Sequence, residues 1–159
     1  LFISDEALEI SVDAIEDILE VGTVVTLKKV EKPNTEDEST ITDNRSLYSE
    51  YYKQTKDETP VIEKTYDINA ILTYSPSDDK LKSAGLDEEC GVIVMLATYQ
   101  LLNVGFADEE DTFHSLITDL KRGILVDING ETFIVKSVGM TGTLNGFSII
   151  CNLGCDLYA

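Results

Sequence analysis

The chain has 159 residues, enough for one domain with a sizeable core, and its 43% hydrophobic content is that of a globular protein. Thirty acidic residues against 12 basic ones leave a net charge of −18, which argues against nucleic-acid binding, because that binding neutralises phosphates with Lys and Arg. No apolar run is long enough to span a bilayer and no charged-then-apolar stretch resembling a signal peptide opens the sequence, so no membrane association is expected.

Ser4 to Val21 reads as a helix. Ser4 is placed to cap it, Asp5 and Glu6 suit the positive end of the helix dipole, and Gly22 is a stop signal. Leu8, Val12, Ile15 and Leu19 share one stripe, widened by Ile18, while Glu9, Asp13, Glu16, Asp17 and Glu20 make up most of the other side. That stripe packs either on the helix's own domain or on a neighbouring subunit, which makes Leu8, Val12, Ile15 and Leu19 candidate contact residues. Thr23 to Glu31 is rich in β-branched residues and reads as a strand. Lys28, Lys29 and Lys32 near its end form one of the few basic spots, either a solvated strand end or a contact for an acidic partner.

Residues 32–62 change character. They are polar and charged, contain Pro33 and Pro60, and are far longer than ordinary connections of about four to six residues. The segment reads as a long loop or arm, and Leu47, Tyr48, Tyr51 and Tyr52 in its middle are candidate partner contacts, because tyrosine offers apolar area with a hydrogen-bonding tip. Beyond it, Tyr66, Ile68, Ala70, Leu72 and Tyr74 alternate with more polar residues, the period of a strand. Ser75 to Gly85 reads as a loop with room for a helical turn. Val92 to Tyr99 is almost wholly apolar and reads as a strand buried on both faces, with a short buried helix through Leu102 as the alternative. Asp108 to Asp111 reads as a solvated acidic turn.

Leu120 to Val138 gives the clearest local signal. Asn129-Gly130 suits a two-residue type I′ turn, in which both central residues need positive φ. The turn sets Ile128 opposite Glu131, Val126 opposite Phe133 and Ile124 opposite Val135. Ile124, Val126, Phe133 and Val135 then share an apolar face, as expected for a hairpin covering a core. The following stretch from Gly139 to Gly146 reads as a turn, and Phe147 to Leu153 as a closing strand with Phe147, Ile149, Cys151 and Leu153 on one side.

The residues offer little chemistry. Cys90, Cys151 and Cys155 have neither zinc nor redox spacing and read as buried small apolar residues in a reducing compartment. His114 is the only histidine and has no recognisable nucleophile motif beside it. Asp78 and Asp79 are adjacent, so on a strand they would point apart. Asp127, Asn129 and Glu131 resemble a fragment of a calcium loop without its later ligands, and the glycines after the hairpin lack the Lys-Ser/Thr of a phosphate loop. The chain is expected to be no enzyme, with no cofactor and no metal. The order of elements implies a single domain over residues 1–159: a helix at 1–22, a first strand at 23–31, a long polar arm at 32–62 and a β remainder at 63–159. The fold class is mainly β, a small antiparallel barrel or sandwich with an N-terminal helix and one long inserted loop.

An N-terminal helix, Gly22 to Val30, a polar insertion and a late Gly123 to Val138 hairpin together resemble the head–tail connector proteins of tailed phages. The nearest group is the head-closure, or stopper, proteins and their tail-completion relatives. The resemblance spans most of Gly22 to Leu153, and departs from the family in the length of the insertion and in the size of the acidic excess. It implies a structural virion protein of the neck, assembled in the cytoplasm of a bacterial host. It implies a homo-oligomeric ring, a dodecamer in the family, that joins the portal and adaptor to a tail terminator or other tail proteins. Packaged DNA would be retained or passing cargo, and residues 32–62 would reach into the channel or grip the next subunit. A different class of function, an acidic DNA mimic that inhibits a nucleic-acid enzyme, would use Glu6, Glu9, Asp13, Glu16, Asp17 and Glu20 on the helix.

Overall fold

A computed structural model describes residues 1–31 and 62–158. The strands are β1 (Thr23–Glu31), β2 (Ile62–Tyr74), β3 (Val92–Ala97), β4 (Leu125–Ile128), β5 (Glu131–Leu144) and β6 (Phe147–Leu157). They form one closed antiparallel barrel in the order β1-β2-β3-β6-β5-β4. Four helices accompany them among the described residues: α1 (Asp5–Val21), α2 (Asp78–Ser83), α3 (Thr98–Asn103) and α4 (Phe113–Lys121). The architecture is thus the barrel form of the expected mainly β fold, with the N-terminal helix in place. The segment Lys29–Lys64 separates from the body formed by Leu1–Lys28 and Thr65–Ala159. Only its two ends, in β1 and β2, are described.

The hairpin forms in the register its turn dictates. Asn129 and Gly130 have φ of 50° and 86°, and Ile128 faces Glu131 while Val126 faces Phe133. The Val135 amide donates to the Ile124 carbonyl at 3.1 Å, which continues the pairing one step past β4. Ile124, Val126, Phe133 and Val135 all turn into the core, and Ile128 joins them. The same interior takes Val25 and Leu27 from β1, Ile68 and Ala70 from β2, and Cys151, Leu153 and Cys155 from β6. Strand alternation therefore sorts each chain segment into an inner apolar row and an outer row.

Several expectations need correction. The glycine-rich stretch after the hairpin is strand as far as Leu144, and the turn lies at Asn145-Gly146, where φ is 51° and 80°. A second Asn-Gly pair makes the second hairpin, and Gly139 and Gly142 sit within the strand. The closing strand runs on to Leu157 rather than stopping at Leu153. The apolar run from Val92 divides: strand through Ala97, then helix from Thr98. Helix α4 was not expected at all. Its start is fixed by a reciprocal cap, in which the Ser115 amide donates to Thr112 Oγ1 at 3.1 Å and the Thr112 amide donates to Ser115 Oγ at 2.9 Å. Ser at the third helical position is a weaker sequence signal than the Glu or Gln of the usual capping box. Leu116 and Leu120 bury the inner side of α4, and the Phe113 ring meets Phe147 edge-on at 5.4 Å.

On the outside of the barrel, the turn after α2 lies directly on β5 and β6. Gly139 pairs with Asn152 across those strands, and the Asn152 side-chain amide donates to the Ala84 carbonyl at 3.2 Å. A Cβ on Gly139 would collide with that same carbonyl and come within 2.9 Å of the Gly85 backbone. The absence of a side chain at residue 139 is what lets this turn sit down. Gly139→Ala is expected to lower stability by about 1–3 kcal/mol, the usual range for overpacking a rigid contact. Urea unfolding of the two proteins measures it, and equal midpoints would show that the turn moves aside freely.

Candidate functional site

Helix α1 does not pack through the stripe of large side chains. Ser4 caps it by accepting from the Ala7 amide at 3.2 Å, and the Gly22 amide closes it on the Ile18 carbonyl at 2.7 Å. The face laid on the body is Ala7, Ser11 and Ile18, all buried, with Ala14 beside them. Small residues let the helix approach closely. Ala7 meets Phe147 and Ile149 in a cluster that also takes in Ile3, Tyr99 and Leu102. The sequence reading did not anticipate this small-residue face, because Ala and Ser carry little weight in an apolar-stripe argument.

The consequence is an uncovered apolar side. Leu8 and Ile15 are half-buried, while Val12 and Leu19 are 41% and 54% exposed. The structure therefore brings Leu8, Val12, Ile15 and Leu19 together on one side of α1, as expected from their spacing, and leaves Val12 and Leu19 of that side facing outward. Leu8 also lines a groove of about 910 Å³ walled by Leu1, Phe2, Ile3, Tyr99, Leu102 and the 105–109 turn. Phe2 stands at its lip, 82% exposed. Phe2, Tyr99 and Leu102 are additions that sequence reasoning missed, because they come from segments far apart in the chain.

The side-chain charge around this surface is of one sign. Asp5, Glu6, Glu9, Asp13, Glu16, Asp17 and Glu20 all lie exposed on α1, which has no Lys or Arg. Asp108 and Glu109 stand on the far wall of the groove. The candidate basic contacts are elsewhere. Lys28 lies on the barrel wall with its Nζ 2.6 Å from Asp127 Oδ2, and Lys29 is half-exposed further along β1. Lys32, Leu47, Tyr48, Tyr51 and Tyr52 lie outside the described residues, so the proposed arm contacts stand as expectations.

The perturbed titrating groups among the described residues are accounted for by structure. Asp127 is held below the usual carboxylate range, first by the hydrogen bond from Lys28 and then by that from Thr132 Oγ1 at 2.8 Å. Asp156 is lowered chiefly by Lys136, at 2.9 Å, and further by the Gly91 amide at 2.7 Å. Burial pushes the Cys151 thiol up to about 12 and raises Cys155 as well, so both are inert apolar fillers of the barrel. Cys90 is half-buried and also raised, by desolvation and then by Asp156. His114 is exposed on α4.

Comparison of the chain with family models, with curated proteins and with solved structures gives no match.

Asp127 is depressed in the folded state, so its contribution to stability is present above the ordinary Asp range near 3.9 and is lost as pH falls through the lowered native value. Asp127→Asn is therefore expected to destabilise at pH 7 by no more than about 1 kcal/mol, discounted because the pair is partly solvated. In urea titrations the difference should shrink as the solution is acidified below that range. A constant difference across pH would assign the loss to packing instead. Thiol labelling of the native protein should modify Cys90 alone and slowly, and all three cysteines only after unfolding. Rapid native labelling of Cys151 would show that the barrel opens.

Proposed function

We propose that the protein is a structural subunit of a tailed-phage neck, in a ring that joins the portal and adaptor complex to the tail and helps retain packaged DNA. The observation that carries this reading is the uncovered apolar side of α1 on a closed barrel. Closure of the barrel pairs each described strand on both sides over part of its length, which favours association through side-chain surfaces. Here the apolar surface is already laid out along a helix. Three further features fit. The N-terminal helix, the strand after Gly22 and the late hairpin, on which the connector resemblance rests, are all formed. The −18 charge suits a channel through which DNA slides without sticking. The long polar insertion joins β1 to β2, on the way from one wall strand to the next.

A second reading is favoured by one observation: Glu9, Asp13, Glu16, Asp17 and Glu20 form a continuous exposed acidic side on α1. Such a side suits a DNA mimic that occupies the cleft of a basic nucleic-acid enzyme. The apolar stripe beside it has no role in that reading, which is why the neck assignment is preferred.

Electron microscopy of a phage lysate made without the protein tests the first reading. Full or leaking heads beside separate, finished tails are the expected outcome. Normal infectious particles would overturn it.

A further inference from the structure

We propose that the outward side of α1, with the groove it shares at Leu8, docks a basic amphipathic segment of a different protein and not a second copy of this chain. The inference rests on reading this side as an assembly surface, and holds whether or not the assembly is a phage neck.

The apolar spacing comes first. Leu8, Val12, Ile15 and Leu19 recur at intervals of four, three and four, so the pattern repeats every seven residues. That is the spacing of a seam that receives another helix. The row extends about 17 Å along the axis, some three turns, and then opens into the groove at Phe2, Tyr99 and Leu102. A partner of three or more turns has both a row to lie along and a cleft for a terminal apolar anchor.

Charge then selects the partner. The row is bordered by Asp5, Glu9 and Glu16 along α1, and Asp108 and Glu109 stand across the groove. Neither α1 nor the groove lining contains a Lys or Arg. A second α1 brought against the first would set acids against acids, and like charges in register oppose docking. Among the described bases, Lys121 and Arg122 stand at the end of α4, whose apolar side is buried at Leu116 and Leu120. Lys28 and Lys136 are tied to Asp127 and Asp156 on the barrel wall, and the lysines of α2 follow Asp78 and Asp79. A segment with apolar residues at helical spacing and Lys or Arg on its flanks satisfies both the row and its border.

The test uses the whole chain and a labelled peptide in which Leu recurs every third and fourth residue with Lys and Ala between. Two controls accompany it: the same composition scrambled, and Glu in place of Lys. Fluorescence anisotropy at physiological salt is expected to show the patterned Lys peptide binding at least about tenfold tighter than its scrambled isomer, with no binding of the Glu peptide. The double variant Val12→Asn, Leu19→Asn changes two exposed side chains, and unfolding curves check that it folds. It should lose about tenfold in affinity. Equal binding of the scrambled peptide, or an unchanged double variant, would overturn the proposal by reducing the attraction to net charge. Sedimentation of the protein alone supplies the other decisive outcome. If it self-associates and the double variant dissolves the oligomer, the occupant is a second copy and the proposal fails. A ring that forms in both proteins leaves this side free for the foreign segment, as proposed. Failure of peptide docking would not touch the lysate experiment, so the two readings fall separately.

Discussion

The ends of the sheet are joined by one short strand. Leu125 to Ile128 pair with β5 on one side, and with Thr26 to Lys28 of β1 on the other. This junction turns an open sheet into a barrel, and the placing of every other element presupposes it. It is reinforced where it is exposed. Lys28 reaches Asp127 across the β1–β4 seam, and Thr132 donates to the same carboxylate from β5. Inside, Leu27, Val126, Ile128 and Phe133 close the same region with apolar contact. The Asn129-Gly130 turn fixes the register in which all this happens. A slip of one residue would carry Val126 outward and Asp127 into the core.

Closure also decides what the protein can do. Where strands are paired on both sides they do not recruit further strands, which favours helices and turns as the described surfaces for association. Helix α1 is fastened by small residues, Ala7, Ser11 and Ala14, with Ile18 as its one large buried anchor. A helix held by its small side leaves large apolar residues such as Val12 and Leu19 exposed. Exposing residues such as Val12 and Leu19 to water is unfavourable in an isolated chain, and docking would recover that loss. The exposed acids beside them set negative charge along the same helix.

The thiols and carboxylates fit the same picture. Cys151 and Cys155 are two of the interior row of β6, and their raised pKa reflects the dryness of the barrel rather than any reactive design. Asp127 and Asp156 are each satisfied by a lysine on a neighbouring strand. Their perturbation stitches the wall together. Strong titration shifts thus mark structure here.

The sequence by itself determined the elements whose signals are local. Ser4 and Gly22 bounded α1, Asn129-Gly130 set one hairpin, and strict alternation identified β2 and the inner row of β6. Each depends on backbone stereochemistry within a few residues, which no tertiary context had to supply. It also carried a second Asn-Gly pair at 145–146, obscured by the glycines before it. Tertiary structure alone decided which side of α1 turns inward. The hydrophobic pattern pointed to the large stripe, but close approach to Phe147 and Ile149 favours Ala7, Ser11 and Ala14. Likewise Gly139 is explained only by the Ala84 carbonyl lying over it. The groove exists only because Phe2, Leu8, Tyr99 and Leu102 are brought together from distant segments. Packing between such segments depends on shape and distance, and a one-dimensional pattern holds neither.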